Sequence, residues 1–151
     1  MDKNEALGNG MKIRESSSMV AAAGPPESVK KPALLLISAD NALVELLGRI
    51  APAEWRVEYR PDSSGTGDLL RQPDLRLVVL DDEAVAAEER GWLLTQVRRN
   101  RPGAALIYVA ANHDGEVEKR ARAGGANYYT SKPIHEEQLA DVVRSFMQFH
   151  R

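Results

Sequence analysis

The sequence has 151 residues, 43% hydrophobic and 28% charged, with 20 Lys and Arg against 22 Asp and Glu and no cysteine. That is material for about one domain of ~150 residues, and the nearly balanced charge offers no global positive field to nucleic acid or an anionic membrane. Without cysteine, disulfide scaffolds, thiolate metal sites and cysteine nucleophiles are excluded, and a reducing, cytoplasmic setting is the expected one. No apolar run approaches the roughly 18 residues that cross a bilayer, and the run at residues 19–23 is too short for a secretory signal.

Residues 1–31 mix Gly, Ser, Pro and both charge signs with no apolar period, which predicts a flexible leader. The alternative for it is a docking peptide centred on residues 11–13. Residues 32–151 are the expected domain. Its first strand, 33–37, is wholly apolar and leads into a helix at 41–50, opened by Asp40 as N-cap and stopped before Pro52. A second strand at 56–59 carries Arg56 and Glu58 and reads as a sheet edge. The Ser63-Ser64-Gly65-Thr66-Gly67 stretch lacks the downstream Gly-Lys-Ser/Thr of a phosphate loop and reads as a connector into a short helix at 66–71. A third strand, 75–80, ends on the acidic trio Asp81, Asp82 and Glu83, and a helix follows at 88–100, stopped before Pro102. The fourth strand is 105–110 and its helix 115–123, closed by Gly124. The fifth strand, 127–130, runs into Lys132 and Pro133, and the final helix, 135–149, repeats Leu139, Val142, Val143, Phe146 and Met147 along one stripe.

Five rounds of strand and helix define an α/β protein with a parallel sheet covered on both faces. Such sheets work at the carboxyl ends of their strands. Ser38, Ala39 and Asp40, the acidic trio, Ala110 to Asp114, and Ser131 with Lys132 all fall there.

The fragments PDLRLVVLD, RPGAALIYVAA and GGANYYTSKPI, in that order and before an amphipathic terminal helix, carry a family likeness. Over residues 33–149 the chain resembles the receiver domain of two-component response regulators, the CheY-like family. The resemblance implies a flavodoxin-like fold of five βα units with strand order 2-1-3-4-5. It also implies Asp81 as the phospho-acceptor position, Lys132 and a carboxylate-held Mg²⁺ as counter-charges to the phosphoryl group, and Tyr129 as the aromatic that responds. The sequence departs from that pattern. Ser38 and Ala39 stand where an acidic pair belongs, with Asp40 one step late; Ala110 replaces a hydroxyl residue; and no proline follows Asp81 closely.

These departures favour a pseudo-receiver: a signalling protein–protein interaction module with a degenerate phosphorylation site, no cofactor and no enzymatic activity. Two alternatives stay open. One is a working phospho-acceptor receiver on Asp81, with Mg²⁺ held by Asp40 and Asp81. The other is an enzyme or metal-binding domain on the same fold. In the favoured reading Asp82 and Glu83 belong to a solvated loop, and Lys132 is an ion-pair partner of Asp81. His113, His135 and His150 read as surface residues. The expected partner is a protein, a second copy included, with no direct nucleic-acid or membrane contact. The expected surface is the fourth helix, fifth strand and final helix, where Lys119, Arg120 and Arg122 are expected near Glu136, Glu137 and Asp141.

Overall fold

Every side chain of the run Ala-Leu-Leu-Leu-Ile is apolar, so a strand made of it must be covered on both faces. In the computed structural model it forms β1 (Ala33–Ile37), buried throughout. The structure describes residues 31–149; the predicted leader, its docking alternative at residues 11–13 and His150 lie outside them. The remaining elements are α1 (Asn41–Ile50), β2 (Arg56–Arg60), α2 (Thr66–Leu70), β3 (Leu75–Asp81), a 3-10 turn at Asp82–Ala84, α3 (Ala87–Asn100), β4 (Ala105–Ala110), α4 (Gly115–Ala123), β5 (Tyr128–Ser131) and α5 (Glu136–Phe149).

All strand pairs are parallel, in the order β2-β1-β3-β4-β5. Successive side chains of a strand point to opposite faces, and both sets are apolar in the central strands. Leu35, Ile37, Val78, Leu80, Leu106 and Tyr108 pack on one face against Leu69, Leu93, Leu94, Val97 and Ala121 of α2, α3 and α4. Leu34, Leu36, Leu77, Val79, Ile107 and Val109 pack on the other against Leu43, Leu46, Leu47, Leu139, Val143 and Met147 of α1 and α5. No helix among the described residues is long and apolar enough to cross a membrane.

The edge strand β2 keeps its charges because each is matched. Arg56 donates from Nε to Glu58 at 2.8 Å, from one Nη to Asp74 at 2.7 Å and from the other to Gln72 at 2.7 Å. Burial would lower the Arg56 pKa, but its hydrogen bond to Asp74, the largest influence, holds it above the ordinary value.

Element boundaries differ from the sequence expectation by a residue or so, and one difference has a clear cause. The fifth strand begins at Tyr128 instead of residue 127. Asn127 uses its side-chain oxygen to accept the Leu106 N–H at 2.8 Å while its own N–H donates to the Leu106 carbonyl at 2.7 Å, so it joins β4 by a side chain before the ladder starts. Just ahead of it, Gly125 has φ of 108°, and a Cβ there would stand 2.6 Å from the Arg98 side chain, so both conformation and space demand glycine.

Candidate functional site

The carboxyl ends of β1, β3 and β5 meet at one rim, and the polar residues that leave those strands are drawn into a single network. Asp81, the last residue of β3, is 1% exposed. Its Oδ2 accepts two hydrogen bonds, from Ser38 Oγ at 2.7 Å and from Lys132 Nζ at 2.9 Å. Its Oδ1 accepts the Glu83 N–H at 3.1 Å and so caps the 3-10 turn that follows. Ser38 in turn accepts the Asp40 N–H at 3.0 Å, tying the β1–α1 loop to the end of β3.

Lys132 is the hub. Besides Asp81, its ammonium lies 2.6 Å from Glu83 Oε1 and 3.1 Å from Asp40 Oδ2. Burial would lower its pKa, yet the hydrogen bonds to Glu83, Asp81 and Asp40 outweigh that and raise it above the ordinary lysine range. Asp40 does two jobs: Oδ1 accepts the Ala42 N–H at 3.0 Å as the N-cap of α1, and Oδ2 faces the ammonium. The hydrogen bond from Lys132 is the main reason its carboxyl is held below the usual value. The capping expectation for Asp40 therefore describes half of its role.

A second network starts at Asp82, and it corrects the expectation of a solvated acidic loop. Asp82 is 4% exposed. Its Oδ1 accepts the Ala111 N–H at 2.9 Å, its Oδ2 accepts the Tyr108 O–H at 3.0 Å, and Arg90 stands 4.0 Å away. Burial, reinforced by the adjacent Asp82 carboxylate, pushes the Tyr108 pKa up, so the phenol stays protonated and keeps donating. The Tyr108 ring stacks on Tyr129 at 6.0 Å, and His113 meets the other side of Tyr129 edge-on at 6.0 Å. Tyr129 is buried, and its hydroxyl has no hydrogen-bond partner among the described residues. Replacing Tyr108 by Phe removes one of two donors to a buried carboxylate while keeping the ring. The expected cost is about 1.5–3 kcal/mol, the range for hydrogen bonds to charged groups, read as a lower urea midpoint at unchanged slope.

No protein-family model and no curated protein matches the chain. Solved structures do. A response regulator from Thermotoga maritima superposes with TM-score 0.66 at 18% identity, covering 78% of this chain and 98% of the other. A CheY-like response regulator receiver domain protein from Methanospirillum hungatei gives 0.67 at 20% identity, over 80% and 96%. A protein assigned to pilus assembly in Burkholderia thailandensis gives 0.63 at 17% identity, over 78% and 98%. The chain has the receiver fold.

Within that receiver fold, a Mg²⁺ ion does not fit the residues present. Ala39 brings a methyl group to the rim and Ser38 a hydroxyl already committed to Asp81, while three of the nearby carboxylates converge on Lys132 Nζ. No cluster of His, Cys, Asp or Glu suited to a metal exists among the described residues. Ala110 is fully buried and contributes only its carbonyl, which accepts the Lys132 N–H at 2.9 Å.

The charges expected near one another on α4 and α5 find their partners elsewhere within the chain. Lys119 and Arg122 pair within α4, with Glu116 at 3.8 Å and Glu118 at 3.0 Å. Glu136 turns to Arg49 of α1 at 3.2 Å, and Asp141 to Arg144 at 3.5 Å. Glu136, Glu137 and Asp141 line a groove between α1 and α5. The phase of α5 explains it: with Leu139, Val143 and Met147 on the sheet, positions 136, 140 and 144 fall on the side toward α1.

Proposed function

We propose that this receiver-fold chain is a pseudo-receiver, a signalling module that acts by contact with a partner protein and not by accepting phosphate. The observation that carries the reading is the state of Asp81. Its Oδ2 accepts from Ser38 and Lys132, and its Oδ1 from the Glu83 amide, so three of its roughly four acceptor positions are occupied within the fold. Counter-charge is also spent: the ammonium that would neutralise an incoming phosphoryl group sits within 3.1 Å of three carboxylates. Among the described residues the cations set against Asp40, Asp81, Asp82 and Glu83 are Lys132 and Arg90, so these side chains together are net negative and disfavour an anionic donor.

The test is intact mass after incubation with acetyl phosphate and millimolar Mg²⁺, together with beryllofluoride titration followed by NMR. No mass increase and no saturable shift are expected. Stoichiometric beryllofluoride binding that vanishes in Asp81→Asn would overturn the reading and establish a working phospho-acceptor. Contact with a partner, cytoplasmic action and the absence of catalysis are parts of the same proposal.

A further inference from the structure

On the sheet face opposite α1 and α5, a crevice of about 340 Å³ opens between α3 and α4. Tyr108, 3% exposed, is among its lining residues, and Leu94 and Val117 supply apolar surface. Gly91 of α3 also lines it, and a Cβ built there meets nothing within 4 Å. The cavity is at the small end of the range for ligand sites, roughly 300–1,000 Å³, enough for one or two fused rings.

The charged groups lining the crevice, Arg90 and Arg120, are cationic, and no carboxylate lines it among the described residues. Arg90 donates from Nε to the Val85 carbonyl at 3.0 Å, which fixes the guanidinium, and its Nη1 stops 4.0 Å from Asp82, beyond hydrogen-bond distance. Arg120 on α4 is exposed, and its side chain has no hydrogen bond or ion pair among the described residues, unlike Lys119 and Arg122 beside it. One anchored and one unpaired guanidinium at the same apolar cleft form a fork suited to a carboxylate, sulfonate or phosphate. From this geometry we propose that the α3–α4 crevice binds a small ligand with a flat apolar body and a single anionic group, the body against Tyr108 and the anion between Arg90 and Arg120.

The proposal goes beyond the reading of the rim: it uses neither Asp81 nor Lys132 and shares with the rim only Arg90, which also stands 4.0 Å from Asp82. It has a consequence there nonetheless. Tyr108 donates to Asp82, which also holds the Ala111 amide, so an occupant on the ring alters the environment of the β4–α4 loop.

The probe is anilinonaphthalene sulfonate, an aromatic body with one anion, titrated by fluorescence into the full chain; its neutral counterpart is phenylnaphthylamine. Saturable one-site binding is expected for the sulfonate, at least about tenfold tighter than for the neutral probe, a margin of one power of ten in Kd. Arg120→Gln is expected to weaken the sulfonate by a similar factor. Gly91→Leu, which fills the crevice from a helical position, is expected to abolish binding while circular dichroism and melting show a folded domain. A shift of the Ala111 amide resonance on titration of the wild-type chain is expected as well. Equal binding of the two probes, an unchanged affinity in Arg120→Gln, retained binding in folded Gly91→Leu, or no saturable signal would each overturn the proposal.

Discussion

Replacing Lys132 by Met is expected to destabilise the domain by about 3–5 kcal/mol at neutral pH, because it strips the cation from a buried carboxylate. The side chain keeps a similar apolar stem, so the loss is of charge and hydrogen bonds. Asp81, 1% exposed, carries most of the effect; Glu83, at 58%, is solvated and screened and carries little. The pH dependence follows from the directions of the two shifts. Lys132 is raised on folding, so its contribution is complete below the unfolded lysine value of about 10.4 and is lost only as pH rises through the higher folded value. Asp40 is lowered, so its contribution is complete above the unfolded value of about 3.9 and is lost as pH falls through the lower folded value. In the wild type both contributions are therefore complete between those limits and are lost outside them. Urea denaturation across pH checks this. A gap below about 1 kcal/mol at neutral pH, the size of an exposed pair, would show that the rim does not depend on its ammonium.

The second large effect is expected from Ser38→Asp. Ser38 Oγ is 2.7 Å from Asp81 Oδ2 and is buried, so a carboxylate there faces another carboxylate at hydrogen-bond distance. In EDTA the variant is expected to lose about 3–5 kcal/mol, the cost of an uncompensated buried charge. The same substitution supplies the acid that the rim lacks, and millimolar Mg²⁺ is expected to restore stability in proportion to its binding. Melting temperatures with and without the cation measure both. Wild type is expected to show no such difference, and a Mg²⁺-dependent rise in wild-type stability would contradict the misfit described for the native rim.

Much of the fold was legible because its signals are local. The apolar runs of β1, β3 and β4 require two covered faces, and Asp40 caps a helix within its own loop. Asp81 and Lys132 were legible as rim residues because both leave strands of one parallel sheet on the same side. The Asp82 network was not legible, since its partner Tyr108 lies 26 residues further on and an acid after a strand reads as solvated. A signal did exist: a phenol inside Ala-Leu-Ile-Tyr-Val-Ala usually finds an acceptor when buried, and the nearest strand end offers three carboxylates. The placing of the α5 acids toward α1 was not legible for a different reason. Net charge on two helices says nothing about phase, and only the rotation set by Leu139, Val143 and Met147 turns Glu136 toward Arg49.

The lysine at the centre of three carboxylates has one further consequence. In a receiver that takes up phosphate, the same number of molecules conveys different messages as the modification comes and goes. Here the cation and its acids are encoded in the chain and are in place as soon as it folds. Under the proposed reading, the rim of each copy is in its final arrangement on folding, so the part of the message that the rim carries scales with how many copies are made and how long they last. Synthesis and proteolysis then do the work of a kinase and a phosphatase.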